Sequence, residues 1–248
     1  MKLNEMEING FKSAIKTMPM KLNEMEINGF VILEPVGSLT DFITGVTGLI
    51  VAYLLWRNRS PERSMQLFTL YFLFTGLATV CAGTIGHAFL HYISPQWKMV
   101  GWSLSAIGLY CFERASFEYF KKELPPRVYD MLKIITLVQL VAFYLLLIFP
   151  STRSFRVVQL NATFSYLGVI LPLYLYALVN WKNNKSWYVI SGILFAGLIA
   201  YVYNTQITIS KWFNHHSLTH VLMTCYVIYM YFAVLQLHIK DNNAQSGK

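Results

Sequence analysis

The stretch Lys98-Met99-Val100-Gly101-Trp102-Ser103-Leu104-Ser105-Ala106-Ile107-Gly108-Leu109-Tyr110-Cys111-Phe112-Glu113-Arg114-Ala115-Ser116-Phe117 decides how this chain folds. It is apolar enough to read as a bilayer-crossing helix, although Glu113 and Arg114 interrupt it before Phe117. Read as a spanning helix, it is the third of seven. Read as a loop, it would move every later segment to the opposite side of the membrane.

On either side of it lie six further apolar runs near the roughly 20 residues a spanning helix needs. The seven segments fall at about 38–56, 66–92, 98–117, 132–149, 157–180, 187–209 and 216–237. Composition agrees with a membrane class: 55% of residues are hydrophobic, 16% aromatic and only 13% charged. Soluble domains carry about twice that charged share. The expected fold is therefore all-α, a polytopic membrane protein built as a seven-helix bundle over 38–237. Pro172 should kink the fifth helix, which neighbouring helices tolerate in a membrane.

The tails read differently. Met1 to Phe11 recurs without change at Met20 to Phe30, a duplication rather than the periodic self-similarity of a repeat fold. Residues 1–37 are expected to form a disordered tail, and 238–248 a cytosolic one. The formal charge of +8 is spread between the apolar runs, so it sets topology rather than marking a nucleic-acid patch. Twelve basic residues lie at or beyond the ends of the first, third and fifth segments or in the C-terminal tail, against four in the alternate loops, leaving aside Lys2, Lys12, Lys16 and Lys21 of the N-terminal tail. That bias puts the N-terminus outside and the C-terminus in the cytosol. Cys81, Cys111 and Cys225 all lie within apolar segments and form no disulfide framework.

Five of the six histidines fall in two short stretches, Gly86-His87-Ala88-Phe89-Leu90-His91 and Asn214-His215-His216-Ser217-Leu218-Thr219-His220. With seven spanning helices, both stretches lie at the outer end of the bundle. An ionisable residue in a membrane helix is costly unless something satisfies it, which makes these positions functional candidates. His87 and His91 are four residues apart, as are His216 and His220, so each pair shares a helix face about 6 Å apart along the axis. Two imidazoles from one helix and a third from another would make a three-ligand zinc site with an open fourth position for water. Asp41, opening the first helix at the same level, could orient a ligand or act as a general base. Ser103, Asn161 and Asn204 fall at that depth too and are candidates to line a substrate pocket. His238, at the other end, reads as a solvated tail residue.

Seven helices, a histidine late in the second and a His-x-x-x-His opening the seventh resemble the CREST superfamily of membrane hydrolases and receptors. That group includes alkaline ceramidases and the adiponectin and progestin receptors. The resemblance covers 38–237 in layout and implies an intramembrane zinc site at His87, His216 and His220, with His215 as a rival to His216; His91 has no role in the family pattern and is a further candidate only by its spacing from His87. It also implies hydrolysis of a lipid amide or ester by zinc-activated water. The family pattern has a serine four residues before the second-helix histidine. Here Gly83 stands in that place with Thr84 beside it, and no aspartate lies between His87 and Lys98. Thr84 and Asp41 are thus the hydroxyl and carboxylate carried into the catalytic set. The expected partners are the lipid bilayer and a lipid substrate or ligand. Two alternatives from other classes are a receptor or scaffold with a structural or lost metal site, and a bis-histidine haem electron carrier.

Overall fold

A computed structural model describes residues 23–58 and 60–239. The described chain is a bundle of seven long helices preceded by one small hairpin. The helices are α1 (Pro35–Arg57), α2 (Arg63–Ala88), α3 (Lys98–Tyr119), α4 (Pro126–Ile148), α5 (Phe155–Asn180), α6 (Ser186–Asn204) and α7 (His215–His238). All except α3 are long and apolar enough to cross a membrane. The seven expected segments thus appear in order.

α3 is long, but it contains Lys98, Glu113, Arg114 and Glu118. It nevertheless lies antiparallel along α2. A Cβ on Gly101 would come 3.3 Å from the Ala78 carbonyl oxygen, and one on Gly108 would come 3.4 Å from the Phe74 Cβ. Further along, the Phe112 and Phe68 rings are 5.6 Å apart. Glu113 is tolerated because it faces inward: it is 1% exposed and meets Ser165 and Gln139. The Gln139 amide in turn donates to Ser165 Oγ at 2.8 Å and Asn161 Oδ1 at 3.0 Å. Polar residues within such helices face the bundle interior, where they find one another.

Small residues let α1 and α2 meet closely. A Cβ on Gly48 would fall 2.9 Å from the Gly76 Cα, and one on Gly76 only 2.8 Å from the Leu49 nitrogen. Contact this close replaces the missing hydrophobic driving force between helices in lipid. Two helices widen to π geometry, α2 over Ala82–Ala88 and α5 over Phe164–Ile170. The α5 widening leads directly into Leu171-Pro172, where proline has no N–H to donate, so the expected kink takes this form.

α4 begins at Pro126, about two turns before the expected 132, and three further departures have a visible local cause. α2 stops at Ala88 rather than near 92, and the chain turns towards Ser94-Pro95, where helix geometry is disfavoured before proline. α6 stops at Asn204 rather than near 209. Gln206 takes a left-handed φ of 53° there, and Ile207 N donates to the Val202 carbonyl at 3.3 Å, closing the helix. The third departure is the N-terminal region. Residues 23–37 are not disordered: β1 (Glu24–Ile27) pairs antiparallel with β2 (Phe30–Leu33) around Asn28-Gly29, both at positive φ. Asn-Gly is the preferred pair for this tight hairpin turn. The first copy of the duplicated sequence and most of the C-terminal tail lie outside the described residues. His238 belongs to α7 and not to a solvated tail. Its buried ring accepts or donates at 2.9 Å to Ser64 Oγ across the bundle.

Candidate metal centre

Three helices converge at one end of the bundle. The first turns of α1 supply Thr40 and Asp41, the π-helical end of α2 supplies His87, and the opening of α7 supplies His215, His216 and His220. Asn214 caps α7 by accepting from Ser217 N at 3.1 Å, which fixes where the histidine-bearing turns begin. A threonine seam then locks α7 to α1. Thr44 Oγ1 lies 3.0 Å from the His220 carbonyl oxygen and 2.8 Å from Thr224 Oγ1. Gly83 allows α2 to close on the same spot, because a Cβ there would sit 2.9 Å from the Ser38 carbonyl oxygen and 3.0 Å from the Asp41 Cβ. A serine at position 83 has no room, which accounts for the glycine in the chain.

Asp41, His87 and His220 bring one ligand atom each to within 4.8 Å of one another. His87 Nε2 lies 3.5 Å from Asp41 Oδ2, and His220 Nε2 lies 3.3 Å from Asp41 Oδ1. The other nitrogen of each ring is already in use. His87 Nδ1 meets Glu34 Oε2 at 2.6 Å, and His220 Nδ1 donates to the Gly37 carbonyl oxygen at 3.2 Å. In the neutral ring this leaves the lone pair on Nε2, aimed in both cases at a carboxylate. With both rings neutral and Asp41 ionised, acceptor faces acceptor. Asp41 is 2% exposed and its Oδ2 makes no hydrogen bond. Buried charges are paired or coordinate metals, so a positive centre is what this arrangement fits.

Glu34 is the residue of this site that the sequence reading missed. It sits at the junction of β2 and α1 with a left-handed backbone, φ 45° and ψ 57°. Its two carboxylate oxygens take His87 Nδ1 at 2.6 Å and the Asn214 amide at 3.2 Å. Burial would raise its pKa, but the His87 hydrogen bond and the neighbouring imidazoles outweigh this and hold it at about 2. The hairpin fixes Glu34 by straddling the site: Val31 N donates to the Tyr92 hydroxyl at 2.8 Å, Asn23 Nδ2 donates to the Lys211 carbonyl, and Glu34 N returns to the Asn23 carbonyl at 2.7 Å. The sequence signal for this was the Asn28-Gly29 turn between apolar residues.

The remaining expected residues divide. His216 is beside the cluster, its ring 5.7 Å from that of His87 and 5.6 Å from that of Tyr203, but it is not among the three converging donors. His215 is buried, stacks 4.1 Å from His216, and leaves Nδ1 without a partner. His91 is exposed on the turn after α2, against Tyr92, and outside the cluster, since the helix that would have carried it ends first. The Thr84 hydroxyl is spent on its own helix, donating to the Val80 carbonyl at 2.8 Å.

A cavity of about 880 Å³ opens from the centre between α2, α3, α5, α6 and α7. Asn204 lines it as expected, whereas Ser103 and Asn161 do not. Two residues along a helix is roughly 200° of rotation, so Ser105 faces the cavity and Ser103 turns away. Asn161 turns to Gln139 and the inner polar cluster instead. No curated protein and no solved structure matches the chain. Residues 36–239, from the first turn of α1 to just past α7, match a family whose function is unknown, so the chain belongs to that family, DUF6962.

Proposed function

We propose that this protein is a membrane-embedded, zinc-dependent hydrolase of a lipid amide or ester. The observation that carries the reading is the convergence of two Nε2 lone pairs on the buried, unbonded carboxylate of Asp41. Two imidazoles and a carboxylate suit zinc better than calcium or magnesium, which favour all-oxygen shells. One donor atom from each of the three residues lies within 4.8 Å of the others, a spacing that a single small ion can draw together.

In this reading Asp41, His87 and His220 hold the metal. Zinc there supplies Lewis acidity, lowering the pKa of a water and polarising a carbonyl. Glu34 fixes the His87 tautomer and raises its basicity, as outer carboxylates do at zinc sites. His216, next to the cluster and lining the cavity, is placed to take a proton from the attacking water and return it to the leaving group. The cavity admits an acyl chain alongside the reacting bond. All seven helices span, α3 included. Basic residues gather in the loops at the far end of the bundle, so the site end faces away from the cytosol.

A bis-histidine haem fits the site less well, because Asp41 stands between the two Nε2 atoms where the macrocycle would lie. A receptor or scaffold that retains the metal structurally is separated from an enzyme by turnover. Purified protein in mixed micelles is expected to release free fatty acid from an ester- or amide-linked lipid panel, with His216→Ala losing turnover while retaining zinc. Zinc-loaded protein that hydrolyses none of the panel would overturn the hydrolase reading.

A further inference from the structure

We infer that the cavity receives a lipid whose headgroup carries an anionic, phosphate-type group, held at the rim by Lys98 and Lys211. This rests on the reading of the cavity as a lipid site, though not on the metal chemistry. The lining is divided by polarity. One helical turn or more in from the mouth it includes the apolar Ala78, Ala82 and Met223, as an acyl chain requires. At the mouth it is rich in donors, with Lys98, Lys211, Asn204 and Gln206.

The charges are unequal there. Among the described residues, two lysines line the cavity, and the acids that line it are Glu34 and Asp41. Both acids are already engaged: Glu34 by His87 and Asn214, Asp41 between His87 and His220. Lys98 feels the Glu34 charge but makes no hydrogen bond or ion pair among the described residues. Among the described residues the Lys211 amine approaches only the face of Trp212, at 5.7 Å, and no carboxylate. A choline-type headgroup would bring its own cation against two uncommitted ammonium groups. A phosphate monoester or acidic phospholipid would neutralise them.

Trp102 lines the same cavity and can report occupancy. The experiment uses the full chain in detergent micelles, titrated with phosphatidic acid or phosphatidylcholine carrying brominated acyl chains. Fluorescence assigned to Trp102 is the difference between the wild type and Trp102→Phe. Quenching is expected at lower mole fraction with phosphatidic acid, and the preference should fall roughly five-fold for each lysine replaced by glutamine. Lys98→Arg should retain it, which separates lost charge from lost folding. Equal quenching by the two lipids, or a preference that survives loss of both lysines, overturns the inference. Displacement by inorganic phosphate alone would make the ligand a soluble anion and overturn it too. The metal-free pair His87→Ala and His220→Ala should keep the preference. A missing zinc with the preference intact would therefore defeat the hydrolase and spare the lipid site, and zinc with no preference would do the reverse.

Discussion

The two ends of the bundle each bury a histidine against a partner helix, and they satisfy it in opposite ways. At the end where α2 begins and α7 closes, His238 Nδ1 donates to the Val234 carbonyl at 2.8 Å and Nε2 meets the Ser64 hydroxyl at 2.9 Å. A hydroxyl can donate, so both ring nitrogens have a complement, the Glu62 carboxylate 3.5 Å from Nε2 is solvent-exposed rather than buried, and the rings of Phe68 and Tyr119 enclose the pair. At the other end the rings of His87 and His220 are likewise fixed through Nδ1, but their Nε2 atoms face a carboxylate that cannot donate. One arrangement is complete as a structural tether. The other is an arrangement that a bound cation would complete, and it lines the large cavity between the helices.

Substitutions at the two ends should separate these roles. The largest effect is expected for His220→Ala, which removes one of the three proposed ligands. Zinc retention, measured by elemental analysis, should fall by more than the roughly 10–100-fold that an outer partner contributes. His238→Ala should leave zinc unchanged and show only in the unfolding midpoint. Glu34→Gln comes next. It keeps the shape but loses the carboxylate on His87 Nδ1, so a competition assay with a zinc chelator should record an affinity about 10–100-fold lower. Gly83→Ser should follow, since its Cβ must push α1 away from α2 beside Asp41. A stability loss of about 1–3 kcal/mol is expected from overpacking, with weaker zinc binding in the same protein. The smallest effect belongs to Ser64→Ala, at about 1 kcal/mol for a lost hydrogen bond, with metal content intact. Zinc loss in Ser64→Ala or His238→Ala would erase the distinction between the two ends.

Much of this was legible in the sequence, for identifiable reasons. The apolar runs mark the helices because lipid demands long unbroken segments, and helix parity alone puts His87 and His220 at the same end. Asp41 stood out as a carboxylate opening an apolar run. What parity cannot supply is helix rotation. Whether Asp41 or His216 points at His87 depends on how α1 and α7 turn, which the threonine contacts at Thr40 and Thr44 set. The same limit separates Ser105 from Ser103. Glu34 was hidden for another reason, because it precedes the first apolar run and reads as tail. Only the hairpin, turning at Asn28-Gly29 and anchored by Tyr92, folds it back over the site. The glycine at 83 looked like a missing catalytic hydroxyl, and it marks instead where two helices meet without space for a side chain.

The central claim is that Asp41, His87 and His220 hold a zinc ion, and the most direct test is the zinc content of the full chain purified in detergent from zinc-supplemented cells. About one zinc per chain is expected, falling to background when His87 and His220 are both replaced by alanine. Folded protein that carries no zinc would contradict the claim.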